Sequence, residues 1–189
     1  MDKQQDRIWL YITDEIDEKN VLTELVTCGD HILLSDKHLM HELIAWTRQN
    51  NRFGGARRIP GYASGIVNLI SKKSFSIYRS FKIGKKRNEN IRELAATSPV
   101  LAILGSYSDT HLDWMYTGMA LTNILLLASF ENVSCSFLNQ PIQVPQLRLK
   151  LLDAIKKENG FPQILLGIGY NKHKIRLTHR RSVEEVLFD

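Results

Sequence analysis

Apolar positions recur at helical spacing from residue 13 to residue 29, where Ile16, Val21, Leu22, Leu25 and Val26 fall about three and four apart. That pattern predicts a helix with Gly29 as its stop. Asp14, Glu15, Asp17 and Glu18 crowd its first turns, where the positive end of the helix dipole favours carboxylates. A second helix is expected to open at Ser35 or Asp36 and run to about Gln49, with Leu39, Met40, Leu43, Ile44 and Trp46 as its apolar positions. Residues 50–65 carry four glycines and a proline and read as loop. Beyond them, Ile66, Val67, Leu69 and Ile70 suggest a short helix, followed by a partly helical linker around Gly84.

The second half of the chain is patterned more sharply. Residues 98–105 (SPVLAILG) form a continuous apolar run between a proline and a glycine, which suits a strand buried on both faces. Residues 109–130 predict a long helix, with Asp109 or Thr110 as N-cap and Asp113 in the first turn. From Trp114 to Phe130 that helix has no charge. A membrane span would need about 20 apolar residues. This run is shorter, contains Thr117, Gly118, Thr122 and Asn123, and lacks flanking Lys or Arg, so a buried core or interface helix is the expectation. Val133 to Leu138 alternates as a strand. Pro145 stands at the first position of a helix carrying Leu147, Leu149, Leu151, Leu152 and Ile155 and stopped near Gly160. Residues 162–169 (PQILLGIG) read as another strand, and residues 180–187 as a short closing helix with Val183, Val186 and Leu187 inward. Helices alternating with two or three buried strands imply an α/β or α+β layer fold.

At 189 residues, 43% apolar and 24% charged, the chain reads as one globular domain, 1–189, which excludes collagen, a coiled-coil rod and general disorder. Its two cysteines, Cys28 and Cys135, build no disulfide framework, and the first residues carry no secretory pattern, so a cytoplasmic location is expected. The net charge of +5 is local: between Ser71 and Arg92 eight bases face the single acid Glu89, and the rest of the chain is slightly acidic. Phe75, Tyr78 and Phe81 interleave with those bases. This pattern could serve phosphate contacts and base stacking, but an amphipathic stretch with its aromatics packed inward and its charges solvated is the favoured reading.

Catalytic signatures are absent: no G-x-S-x-G, no H-E-x-x-H, no phosphate loop and no G-x-G-x-x-G. His38 and His41 share a helix face with Glu42, but no third ligand is apparent and no metal site is expected. Cys28 beside His31 reads as a semi-buried structural cysteine at a helix end. More informative are Lys172, Lys174, Arg176, Arg180 and Arg181, which follow a buried strand. A guanidinium fork matches phosphate oxygens in pairs, so the cluster suits a small phosphorylated cofactor.

The order of these pieces resembles the nitroreductase family of flavoproteins. The helix and strand DWMYTGMALTNILLLASFENVSCSFLNQP resemble that family's central helix and following strand. PQILLGIGYN with RRSVEEVL resembles its C-terminal strand and closing segment. Within the family, the second half of tandem, Acg-like proteins is most similar. Asp36, Leu39, Glu42, Leu43 and Trp46 match a helix motif in altered spacing, and Gln140, Pro141, Pro145 and Arg148 match a turn. Two family features are replaced: the opening arginine motif by the lone Arg7, and a Pro-Ser-x-x-Asn loop by residues 28–33.

The resemblance implies an α+β nitroreductase-like fold, with a small, mostly antiparallel sheet wrapped by helices and a homodimer formed through the Trp114–Phe130 helix. It implies FMN as cofactor and hydride transfer from NAD(P)H to a nitroaromatic, quinone or similar acceptor, with no protein acid or base carrying the chemistry. It places Arg180 and Arg181 at the FMN phosphate or the reduced ring. The backbone of Ser136, Phe137, Leu138 and Asn139 would face the isoalloxazine. The alternative is a non-catalytic domain that stores flavin, or binds nucleic acid or a partner through residues 72–92.

Overall fold

The computed structural model describes residues 7–36, 38–39, 47–48, 59–60, 82–170 and 187. They belong to two compact units, residues 1–33 with 88–172 and residues 34–87 with 173–189. In the second unit, β2 (Thr47–Arg48) pairs in parallel with β3 (Ile59–Pro60). The Asp36 carboxylate accepts from the backbone N–H of His38 at 2.8 Å and of Leu39 at 3.4 Å. That is the capping geometry expected of Asp36, but β2 already occupies Thr47, so the helix expected to reach Gln49 ends sooner.

In the first unit, β1 (Ile8–Thr13), β4 (Val100–Ser106), β6 (Phe161–Gly169) and β5 (Ser134–Phe137) form an antiparallel sheet in that spatial order. β4 lies inside the sheet, and Leu101, Ala102, Ile103 and Leu104 are fully buried, as a strand covered on both faces requires. β1 lies at an edge and alternates: Trp9 and Thr13 point inward, Leu10 and Ile12 stay exposed. Its charge-free IWLYIT pattern is a strand that the periodicity along the chain does not predict.

One sheet face holds Trp9, Leu101, Ile103, Leu165 and, just past β5, Leu138. These pack with Leu22 and Val26 of α1 (Ile16–Ser35), Ala95 of α2 (Lys82–Thr97), and Leu151 of α4 (Pro145–Ala154). Fully burying each such leucine or valine contributes about 1.5–3 kcal/mol.

α1 corrects one expectation. Gly29 does not stop the helix, which continues to Ser35. Instead Gly29 is buried where the helix meets the backbone of Gln140 and Pro141. A Cβ there would lie 2.8 Å from the Gln140 carbonyl carbon and 2.9 Å from the Pro141 nitrogen. The glycine permits close approach of two backbones, a need invisible to local pattern. Cys28 is exposed within the helix, not semi-buried at its end. The linker expected around Gly84 is also helical, because α2 runs through it.

The other sheet face is crossed by α3 (His111–Phe130). Thr110 caps it. Its hydroxyl accepts from the Asp113 N–H, while the Asp113 carboxylate accepts from the Thr110 N–H at 3.1 Å and from the Thr110 hydroxyl. Only Asp113 and Thr117 of α3 are buried. Within this chain α3 is therefore not a core helix: Met115, Met119, Leu126, Leu127 and Phe130 are 52–81% exposed. No helix among the described residues is long and apolar enough to cross a membrane.

Candidate functional site

β5 and the turn that follows it are held tightly from below. The Leu138 N–H donates to Leu165 O at 2.9 Å, and the Asn139 side-chain oxygen accepts from the Leu165 N–H at 2.8 Å. The Asn139 carbonyl in turn accepts from Ile142 N at 3.0 Å and Gln143 N at 3.2 Å. Leu138 is fully buried, so its side chain anchors the segment and only its backbone remains for binding.

Antiparallel pairing fixes which backbone groups face outward. Ser134, Ser136 and Leu138 stand opposite Gly169, Gly167 and Leu165, on the register in which Leu138 bonds to β6. Bonding alternates along such a strand, so the N–H and C=O groups of Cys135 and Phe137 point to the outer edge of the sheet. That edge offers amide donors and acceptors beside the Phe137 side chain, which is 49% exposed, and no charged side chain occurs from Ser134 to Asn139. A planar heterocycle carrying both ring N–H and carbonyl groups suits this edge. Burial pushes the Cys135 thiol above its ordinary pKa, so no thiolate nucleophile is prepared there. Next to the edge, the side-chain oxygen of Gln140 is buried without a hydrogen-bond partner.

A second polar arrangement fixes the start of α3. Arg148 grips Asp109 with two N–H groups, at 2.7 and 3.0 Å, and also donates to Pro162 O at 2.8 Å and the Gln163 side-chain oxygen at 2.9 Å. The Gln163 amide donates to Ser106 Oγ and to Asp109, both at 2.9 Å. Asp109 also accepts from the Trp114 indole at 2.7 Å. Hydrogen bonding from Arg148 above all, then from Gln163 and Trp114, holds the Asp109 carboxyl far below the usual carboxylate range. The geometry arises from a bulge: Leu104 faces Ile164 but Gly105 faces Pro162, which leaves Gln163 unpaired and re-aimed at the network. Proline suits a strand at such a bulge because it has no N–H to lose.

Sequence reasoning marked Asp109 as a possible cap and Arg148 as part of a turn, but nothing local links residues 39 apart. The structure engages Arg7 with Asp113, at 3.2 Å, and places its guanidinium 5.9 Å from the centre of the Tyr116 ring. The Asp113 carboxyl is held below its ordinary pKa chiefly by the Thr110 hydroxyl, with Arg7 a smaller contributor.

Ser136, Phe137, Leu138 and Asn139 thus form one continuous edge segment. Arg180 and Arg181, the closing helix at 180–187 (Leu187 apart) and residues 72–81 of the basic segment lie outside the described residues, as do His41 and Glu42. Among the described residues no group of three or more His, Cys, Asp or Glu side chains could hold a metal ion.

This arrangement of sheet and helices has solved counterparts. The FMN- and NADPH-dependent nitroreductase NfnB of sphigopyxis sp. strain HMH superposes with a TM-score of 0.56 at 10% identity, over 96% of this chain and 79% of that one. The FMN-dependent nitroreductase NfnB of Mycobacterium smegmatis, solved in complex with NADPH, gives the same TM-score and identity over 96% and 78%. The chain has the nitroreductase fold. The α+β class expected from the sequence is shown, and the resemblance to nitroreductases holds at the level of the fold. Two Mycobacterium tuberculosis proteins provisionally named NAD(P)H nitroreductases are each 23% identical to this nitroreductase-fold chain over 165 residues. The match covers 84% of this chain and 44% of each relative, so the chain spans less than half the length of the curated relatives it matches. No family model matches it.

Proposed function

We propose that this chain is a flavin-binding oxidoreductase subunit of nitroreductase type, working in the cytoplasm as a homodimer. It would pass hydride equivalents from NAD(P)H through FMN to a nitroaromatic, quinone or similar acceptor. The observation that carries the reading is the outer edge of β5: backbone donors and acceptors beside an exposed aromatic ring, on a nitroreductase fold. FMN, when bound, supplies the electron chemistry.

The chain's own residues bind and orient. Ser136 and Leu138 fix the strand to β6, and Phe137 presents its amide and ring to the cofactor. Asn139 ties the turn to β6 through its side-chain oxygen. Arg180 and Arg181 would take the phosphate in forked hydrogen bonds. The uncharged α3 would be covered by the second subunit, which excludes water from the neighbouring face.

FMN titration of the purified chain, followed by flavin fluorescence and calorimetry, tests this reading. Saturable binding, lost on joint Arg180→Ala and Arg181→Ala substitution, supports it. A dissociation constant weaker than about 1 mM, equivalent to about 4 kcal/mol, overturns it.

A further inference from the structure

Gln140 carries two hydrogen-bonding groups that its own chain leaves unused. Its side-chain oxygen is shielded from solvent and has no partner, and its main-chain N–H donates to nothing among the described residues. A shielded acceptor without a partner has given up its hydration for nothing, so it weighs against the fold. Nearly all such groups in folded proteins are satisfied by the chain, by water or by a ligand.

The backbone at Gln140 cannot shift to relieve this. Asn139 before it is bound to Leu165 through its side chain and accepts from Ile142 and Gln143 through its carbonyl. On the other side α1 presses so closely that a Cβ on Gly29 would lie 2.8 Å from the Gln140 carbonyl carbon, and Pro141 is fully buried. Only the side-chain torsions of Gln140 remain free. Its amide nitrogen, unlike the oxygen, is not shielded. A half-turn about the soft terminal torsion exchanges the two and breaks no hydrogen bond among the described residues, since neither atom has a partner there. The amide can therefore turn an acceptor outward at the end of the β5 edge.

We propose that Gln140 is a positioning residue for the flavin ring, its side-chain oxygen accepting the N–H of the ring's imide. This rests on the flavin reading above and adds a side chain that reads the ring. Charge selects which end of the ligand Gln140 meets. No charged side chain occurs from Ser134 to Gln143, so a phosphate finds no counter-charge in this segment and the neutral heterocycle is the part that fits. An imide N–H lies between two carbonyls. A carboxamide is its complement, because it accepts from N–H and donates to C=O through neighbouring atoms. The segment thus reads donor and acceptor positions rather than charge.

Titration of the full chain and its Gln140→Met variant tests this, with FMN and with N3-methylated FMN, which lacks the imide N–H. Methionine keeps the length of glutamine but is only a weak acceptor. The wild-type chain should bind FMN about tenfold more tightly than the methylated analogue. Gln140→Met should bind FMN about tenfold more weakly than the wild-type chain and no longer distinguish the two flavins. The added methyl group meets both chains alike, so lost discrimination reports the hydrogen bond and not bulk. Without ligand, the variant should unfold at or above the wild-type midpoint, because the substitution deletes an acceptor that the fold leaves unpaired. A ligand-free variant that unfolds below the wild-type chain overturns the positioning role and spares the flavin reading. So does a variant that binds FMN as tightly, or discriminates as well, as the wild-type chain. A wild-type chain that binds neither flavin overturns both.

Discussion

Trp9 and Gly105 occupy adjacent strands so closely that the indole takes the space a methyl group on Gly105 would need. A Cβ at 105 would overlap the Cε2 and Cζ2 atoms of Trp9 and come 2.7 Å from the Phe161 carbonyl oxygen. The ring cannot yield easily. Its N–H donates to Ser106 O at 3.0 Å, and the Lys157 ammonium lies 4.9 Å from the ring centre. Gly160, at φ 128°, crowds the same indole nitrogen. Gly105→Ala should therefore destabilise the fold by about 1–3 kcal/mol, as overpacking of a rigid site does. Thermal unfolding measures this, at roughly 2–4 °C per kcal/mol for a chain of this size. An unchanged midpoint would show that the tryptophan moves aside at no cost.

Gly29 makes a parallel case with a different readout. Its neighbours are backbone atoms of Gln140 and Pro141, immediately after the segment proposed to face the flavin. Gly29→Ala must push that turn away from α1, since backbone cannot rotate aside as a side chain can. We expect a loss of about 1–3 kcal/mol in stability and weaker FMN binding together. Urea denaturation and flavin titration on the same preparation check the pair. Stability lost with FMN affinity unchanged would separate the turn from the cofactor site.

The contrast between those glycines shows what sequence made legible. The buried strand at 98–105, the alternating strand at 133–138, the proline-started helix at 145 and the capped helix from Thr110 all declare themselves locally, through periodicity and capping residues. Their order was enough to suggest the fold. β1 does not declare itself in this way, because its charge-free IWLYIT run is short and lies directly before the stronger helical periodicity of α1. Gly29 was misread because a glycine ending a periodic run looks the same whether it terminates a helix or admits a neighbouring backbone. The Asp109–Arg148–Gln163 network depends on a bulge that shifts pairing between β4 and β6, and a shift of pairing leaves no mark in either strand alone. Only the family resemblance points to residues 136–139. Backbone groups do the presenting there, and their direction is a property of register.

Arg148 joins α4, β6 and the start of α3 through one guanidinium. Replacing it by methionine keeps the aliphatic bulk but removes every one of those bonds. Asp109 and Gln163 then lose their shared partner in a site that is about three-quarters shielded, with side-chain exposures of 22% and 27% for Arg148 and Asp109. Arg148→Met should cost about 1–3 kcal/mol, and Trp114 fluorescence should change as its Asp109 anchor loosens. Lysine at 148 should rescue only part of the loss, because a point charge cannot reproduce the two-pronged grip. Full rescue by Arg148→Lys would reduce the pair to simple charge neutralisation.

The same pair sets a pH dependence whose sign follows from the hydrogen bonds. The Asp109 carboxyl ordinarily titrates near 3.8 and is held well below that value in the folded chain, first by Arg148. A depressed folded-state pKa means that the unfolded chain takes up the proton first. Stability from Asp109 is therefore complete above the ordinary value and declines as acid approaches the folded-state value. Asp109→Asn removes this dependence while keeping the side-chain shape. At pH 7 the variant should be less stable than the wild-type chain. The gap should narrow as pH falls below about 4, because the wild-type carboxylate is then being neutralised in the unfolded state. Asp113, held down by Thr110 and Arg7, contributes with the same sign in both proteins and so cancels from the difference. Urea midpoints of the two proteins across pH 2.5 to 7 decide the matter, and a gap that stays constant through the acid range would show that Asp109 stabilises the fold through hydrogen bonds that asparagine cannot accept rather than through its titrating charge.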